Sequence, residues 1–130
     1  MKRLFILTAV LVTLGVGPAL AETALGTWLS PPDRKGQVGH MQLRQCGGAI
    51  CGTLVRVFDK TGRQITTPNV GKQLVWGMQP SGSNRYIGQV YVPLMKGQFP
   101  AEMKVSGNRL TVRGCSSVGL CKAQTWSRVN

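Results

Sequence analysis

Cysteine, histidine and carboxylate side chains carry the chemistry open to this chain, and they are few: four cysteines, one histidine and four acids. His40 is the single histidine. A nucleophile–base pair would need a Ser or Cys beside it and a third group to orient the ring. No nucleophile motif supplies them, so His40 reads as an ordinary strand residue. Glu22, Asp33, Asp59 and Glu102 are far apart in the sequence, and a glycosidase-type carboxylate pair is not suggested. There is no glycine-rich phosphate loop. The cysteines come as two close pairs, Cys46 with Cys51 and Cys115 with Cys121. Two such pairs can in principle build an all-cysteine zinc site, but zinc ribbons use tighter two-residue knuckles. An exported chain favours disulfides instead. We therefore expect two local bridges, no metal, no cofactor and no catalytic residue.

Hairpins must position those cysteines. In Met41 to Phe58 (MQLRQCGGAICGTLVRVF) polar and apolar residues alternate with the period of a strand on both sides of a glycine turn. Gly47 and Gly48 can take the positive φ of a tight turn. Pairing Cys46 with Cys51 across it sets Leu43 opposite Leu54 and Arg44 opposite Thr53, with both leucines on one face. Cys115 and Cys121 flank a second turn in the same way. Closing such short loops contributes about 2 kcal/mol each in the chain-entropy account, so the bridges pin register more than they add stability.

The first 21 residues read as a leader. Lys2 and Arg3 precede an apolar run from Leu4 to Val16, and Ala19-Leu20-Ala21 is a small-x-small cleavage signal. We expect cleavage after Ala21, leaving 22–130 as one domain in a bacterial periplasm or outside the cell. No second long apolar run follows, so a membrane-spanning helix is not expected. Without Lys2 and Arg3 the chain keeps fourteen basic residues against four acids, a net of +10. The basic residues stand singly along strands and turns. They suit a solvated face or attraction to an anionic surface such as lipid headgroups or cell-wall polymer. No nucleic-acid motif is present.

The rest of the chain alternates short apolar runs with turn residues. Strands are predicted at Ala24–Ser30, on either side of a turn centred on Gly47-Gly48-Ala49, and at Lys72–Gln79, Arg85–Leu94, Gln98–Val105, Arg109–Cys115 and Cys121–Val129. Thr66–Gly71 reads as irregular connection. Leu74, Trp76 and Met78 share one predicted face, and Gly88 marks a bend or bulge. Eight short strands with short links make an antiparallel meander, and closing it removes its two edges. The fold class is therefore all-β, a small up-and-down antiparallel barrel, with a two-sheet β-sandwich as the alternative.

Gly26-Thr27-Trp28-Leu29, Cys46 to Gly52, Gly88 to Pro93, Thr111 to Gly114 and Gln124 to Val129 resemble, in order and spacing, the uncharacterised bacterial exported domain called DUF2147. The resemblance covers nearly the whole of 22–130. It departs at Thr67-Pro68-Asn69 and Tyr91-Val92-Pro93, where members carry acids. The family has no established activity, so the resemblance carries over no catalytic residue. It implies a lipocalin-like barrel closed by an Arg from the last strand packed on the Trp of Gly-x-Trp. Here Gly26, Trp28, Trp126 and Arg128 would form that barrel-closing set.

Trp28, Leu43, Leu54, Leu74, Trp76, Met78, Phe99, Met103, Leu110 and Val112 are the candidates for the interior. Two functions from different classes follow. In the first, a binding protein holds a small apolar ligand lined by Leu43, Leu54, Trp76, Met78, Phe99 and Met103. In the second, a packed basic barrel meets an anionic envelope component or a partner protein. A cavity favours the first, a filled barrel the second.

Overall fold

The computed structural model describes residues 24–130. The expected leader, residues 1–21, and its cleavage site after Ala21 lie outside the described residues. Nine strands follow in order: β1 (Gly26–Leu29), β2 (Val38–Cys46), β3 (Ala49–Phe58), β4 (Gln64–Ile65), β5 (Gln73–Pro80), β6 (Arg85–Val92), β7 (Gly97–Ser106), β8 (Arg109–Cys115) and β9 (Cys121–Arg128). Every pairing is antiparallel. The sheet runs β2-β1-β9-β8-β7-β6-β5-β3-β4, and β2 also pairs β3. That last pairing closes the sheet on itself. The result is an eight-stranded up-and-down barrel, with β4 as a two-residue addition to the end of β3. A two-sheet sandwich is thereby excluded.

Period-two burial shows why these segments are strands. In β7, Ala101, Met103 and Val105 are buried while Lys104 and Ser106 are exposed. In β8, Leu110 and Val112 are buried. One core cluster holds the interior together, including Trp28, Met41, Leu43, Ile50, Met78, Tyr86, Met103 and Trp126.

Three local expectations are corrected. In the first hairpin Cys46 faces Ala49, so the turn is the two residues Gly47-Gly48, with Gly47 at φ +66°. Leu43 then faces Gly52, and Leu54 faces Met41. A slip of two keeps every side chain on its face, which is why the leucines still share the inside. Cys46 and Cys51 become diagonal neighbours with Cα atoms 5.8 Å apart, and they are bridged. Cys115 and Cys121 do face each other, Cα–Cα 4.1 Å, and are bridged as well.

The second correction lies in β5. Trp76 pairs Gln89 and Gln79 pairs Ile87, so Gly77 and Met78 together oppose the single residue Gly88. This is a bulge, with Gly77 at φ +63°. It shifts the alternation by one. Val75 and Met78 are buried, and Trp76 does not share their face. Gly88 is required there because a Cβ would sit 2.7 Å from the Trp76 and Gly77 carbonyl oxygens. Third, β6 stops at Val92 rather than Leu94. Pro93 has no N–H to give a ladder, and Pro93–Met95 forms a 3-10 turn that Lys96 ends at φ 49°.

The strand directions sort the connections into two ends. At the first lie the β2–β3, β5–β6 and β7–β8 turns and the last residues of the chain. At the far end lie the β1–β2 link, the stretch containing β4, the Pro93–Met95 turn and the β8–β9 turn.

Gly88→Ala should lower stability by about 1–3 kcal/mol, since backbone at the bulge must move to admit the methyl group. Gly48→Ala meets nothing within 4 Å and should stay within about 0.5 kcal/mol of the parent. Urea midpoints of the two variants check this; equal midpoints would contradict it.

Candidate functional site

The first end is closed by the two termini of the described chain. Trp28 on β1 is fully buried, and its indole N–H donates to the Ala24 carbonyl at 2.9 Å. Arg128, its partner across β9, lays its guanidinium over the indole, 4.2 Å from the ring centroid. Arg128 Nη1 also donates to the Leu25 carbonyl at 3.1 Å. Thr27 N–H donates to the Asn130 carbonyl at 3.2 Å, and Val129 N–H to the Thr27 carbonyl at 2.8 Å. Gly26 stands where the chain crosses Asn130; its φ is +119°, and a Cβ would collide with the Asn130 carbonyl oxygen. Trp126, two residues before Arg128, is buried in the same core cluster as Trp28. All four residues of the expected closing set therefore meet at one end.

Of the side chains expected to line a cavity, Leu43, Met78 and Met103 are buried, and Leu54 and Phe99 are half-buried against the core. They pack on one another and on Met41, Ile50, Val75, Tyr86 and Val90, which fill the middle of the barrel. The best-formed hollows among the described residues are shallow and open to solvent. One, of about 290 Å³, lies at the Arg128 end beside Asn84, Val105, Gly107 and Asn108. The other, of about 330 Å³, is lined by Lys72, Gln73, Leu74, Trp76 and Tyr91. Trp76 and Tyr91 stand on the face opposite the buried Val75 and Val90, so this groove is on the outer wall. Trp76 lines that groove and not the interior, because the Gly77 bulge turned it outward. Nothing in the sequence alone signals the groove, since a regular β5 would have put Trp76 inside.

The titratable groups have structural partners. His40 is half-buried in β2 with its ring 4.9 Å from that of Phe58. Burial, and then the nearby Arg56 charge, hold its pKa below the ordinary 6.5, so the ring is neutral at pH 7. Asp59 Oδ1 accepts from the Thr61 hydroxyl at 2.6 Å and from the N–H groups of Thr61 and Arg63 at 2.9 and 3.0 Å. Chiefly the Thr61 hydroxyl, then the Arg63 N–H, keeps this carboxyl below the usual carboxylate range. Asp33 Oδ1 accepts from the N–H groups of Lys35 and Gln37 at 2.8 and 2.9 Å. Both aspartates shape turns. Glu102 meets Arg85 at 3.7 Å on the exposed wall, a contact of little energetic weight. Among the described residues no three His, Cys, Asp or Glu side chains gather as a metal site would require. No helix among them is long and apolar enough to cross a membrane.

The family model described as an uncharacterized protein conserved in bacteria, DUF2147, matches residues 26–128, the span from the closing glycine to the closing arginine. The chain belongs to the DUF2147 family. This DUF2147 barrel is also similar to a solved structure, that of protein HP1028 from the human pathogen Helicobacter pylori, described as belonging to the lipocalin family. The two share 13% identity over 82% of each chain with a TM-score of 0.63, a likeness of fold: the DUF2147 barrel is lipocalin-like. No curated protein matches the sequence.

Arg128→Ala should cost about 2–3 kcal/mol, from the lost guanidinium–indole contact and a lost charged hydrogen bond. Arg128→Lys should recover less than half of that, because an ammonium neither lies flat on the ring nor reaches with a fork. Denaturant midpoints for the two variants test this; an Arg128→Ala protein as stable as the parent would contradict the closing role.

Proposed function

We propose that this protein is an exported, non-enzymatic binding protein of the bacterial envelope, and that it binds through its outside. The observation that carries this reading is the interior: Met41, Leu43, Met78, Tyr86, Met103 and their neighbours occupy the space a lipocalin-like barrel would give a guest. The net charge of +10 on residues 22–130 draws the protein toward anionic lipid or cell-wall polymer, acting within about 8 Å at physiological salt. Two cysteine bridges suit an oxidising compartment outside the cytoplasm. The family itself has no described activity, and the titratable groups hold turns and strands rather than forming an acid–base pair.

A second reading, a small apolar ligand, is favoured by one feature, the outer groove where Trp76, Tyr91 and Leu74 offer apolar surface beside Lys72. Such a ligand would lie on the wall and not within the barrel.

Co-sedimentation separates the two. The protein should pellet with anionic vesicles or with isolated cell-wall sacculi at low salt, be largely released as salt rises, and ignore neutral vesicles. It should displace no fluorescent fatty acid. Indifference to both anionic surfaces at low salt would refute the leading reading, and stoichiometric displacement of the fatty acid would favour the second.

A further inference from the structure

Six large apolar side chains are exposed among the described residues: Ile87, Leu94, Met95, Val118, Leu120 and Val129. Four of them sit on two turns at the far end of the barrel. Leu94 (69% exposed) and Met95 (54%) lie on the 3-10 turn between β6 and β7, and Val118 (79%) and Leu120 (75%) on the turn between β8 and β9. Both turns lie at the same end of the barrel. β7 and β8 are adjacent strands, paired from Ser106–Arg109 to Ala101–Gly114, so the turn before β7 and the turn after β8 are neighbouring connections at this end. Apolar residues scattered singly need no explanation, but a cluster on neighbouring turns marks a contact surface.

Both turns are built to hold their tips out. Lys96 N–H donates to the Pro93 carbonyl at 3.2 Å. In the other turn Ser116 N–H donates to the Leu120 carbonyl at 2.8 Å, Gly119 N–H to the Ser116 carbonyl at 3.0 Å, and Leu120 N–H to Ser116 Oγ at 3.2 Å. The Cys115–Cys121 bridge ties the base of that turn. The tips need little ordering on contact.

Charge identifies the partner. Lys96 and Lys122 are exposed beside the tips, and Arg34, Lys35, Lys60 and Lys72 are exposed on the other connections of the same end. The acids there, Asp33 and Asp59, accept hydrogen bonds from their own turns. The opposite end is basic as well, through Arg44, Arg85, Lys104 and Arg109, so charge alone does not choose between the ends; the apolar tips do. A second copy of this chain would bring like charge against like. Protruding apolar tips within a basic ring fit an anionic bilayer surface.

We propose that the far end docks on an anionic lipid leaflet. Leu94, Met95, Val118 and Leu120 enter the boundary between headgroups and acyl chains, and Lys96 and Lys122 meet the lipid phosphates. This rests on the surface-binding reading above and names its face and partner.

The test compares the parent with Leu94→Ser/Met95→Ser/Val118→Ser/Leu120→Ser on vesicles of phosphatidylglycerol and phosphatidylcholine and on sacculi. The substituted side chains are exposed, and near-ultraviolet circular dichroism checks that the fold is kept. The parent should retain part of its vesicle binding at high salt, where charge attraction is screened. The fourfold variant should bind vesicles at least about tenfold more weakly and lose the salt-resistant part, with sacculus binding unchanged. Lys96→Gln and Lys122→Gln should each weaken low-salt vesicle binding about fivefold. Independently, lipids brominated on the acyl chains should quench added fluorescence in Leu120→Trp but not in Val129→Trp. If the fourfold variant binds vesicles as the parent does, or the two tryptophan variants are quenched alike, the docking face is wrong while surface binding stands. If the parent binds sacculi but not vesicles, lipid is the wrong partner. If it binds neither, the surface reading falls together with the docking face.

Discussion

A guanidinium lying on an indole spans the seam at which this barrel closes. Arg128 and Trp28 are 100 residues apart in the chain, yet they are partners across β1 and β9, the seam where the sheet meets itself. β1 is four residues long and pairs β9 at only two positions. The ladder across the seam is therefore thin. Stacking, the Arg128–Leu25 hydrogen bond and the crossing of Thr27 with Val129 and Asn130 supply what backbone pairing there does not. Gly26 belongs to the same device, because only a residue without a Cβ lets β1 pass under Asn130.

The side chains inside a barrel this small decide how it can be used. Eight strands enclose a space that side chains can fill or that can hold one small ligand, and here aromatic, Met, Leu and Ile side chains take it. What distinguishes the molecule then lies on its outside: the basic surface, the groove beside Trp76, and the apolar tips of two far-end turns. The β5 bulge links inside to outside. By turning Met78 in and leaving Trp76 out, it completes the core and furnishes the wall with its aromatic groove.

Much of the fold was legible because strand alternation is a strong signal where one face is buried and the other wet. Phe99, Ala101, Met103 and Val105 gave β7 cleanly, and Leu110 and Val112 gave β8. The closing set could be named from the resemblance because Gly-x-Trp and the terminal Arg stand at opposite ends of the domain. The hairpin register was not legible to better than two residues, since a shift of two leaves every face unchanged and two different turns fit Cys46-Gly47-Gly48-Ala49-Ile50-Cys51. The side of Trp76 was hidden for a related reason. A glycine marks where a bulge can form but not on which strand the extra residue falls, and Gly88 signalled a bulge whose extra residue belongs to β5. Tyr86 was within reach, being two turns of alternation before Val90, but Gly88 between them obscures the pattern.

A barrel occupied by its own side chains leaves its outer surface to meet a partner. Native mass spectrometry of the protein taken from its own compartment, without detergent, tests this most directly. The expected spectrum shows the mass of residues 22–130 with two disulfides and no retained apolar molecule. A stoichiometric apolar adduct that survives desolvation and is kept by variants altered at the outer groove (Trp76→Ser) and at the far-end turns (Leu94→Ser/Met95→Ser/Val118→Ser/Leu120→Ser) would contradict it, because the barrel would then have to open a space that Trp28, Met78, Met103 and Leu110 now occupy.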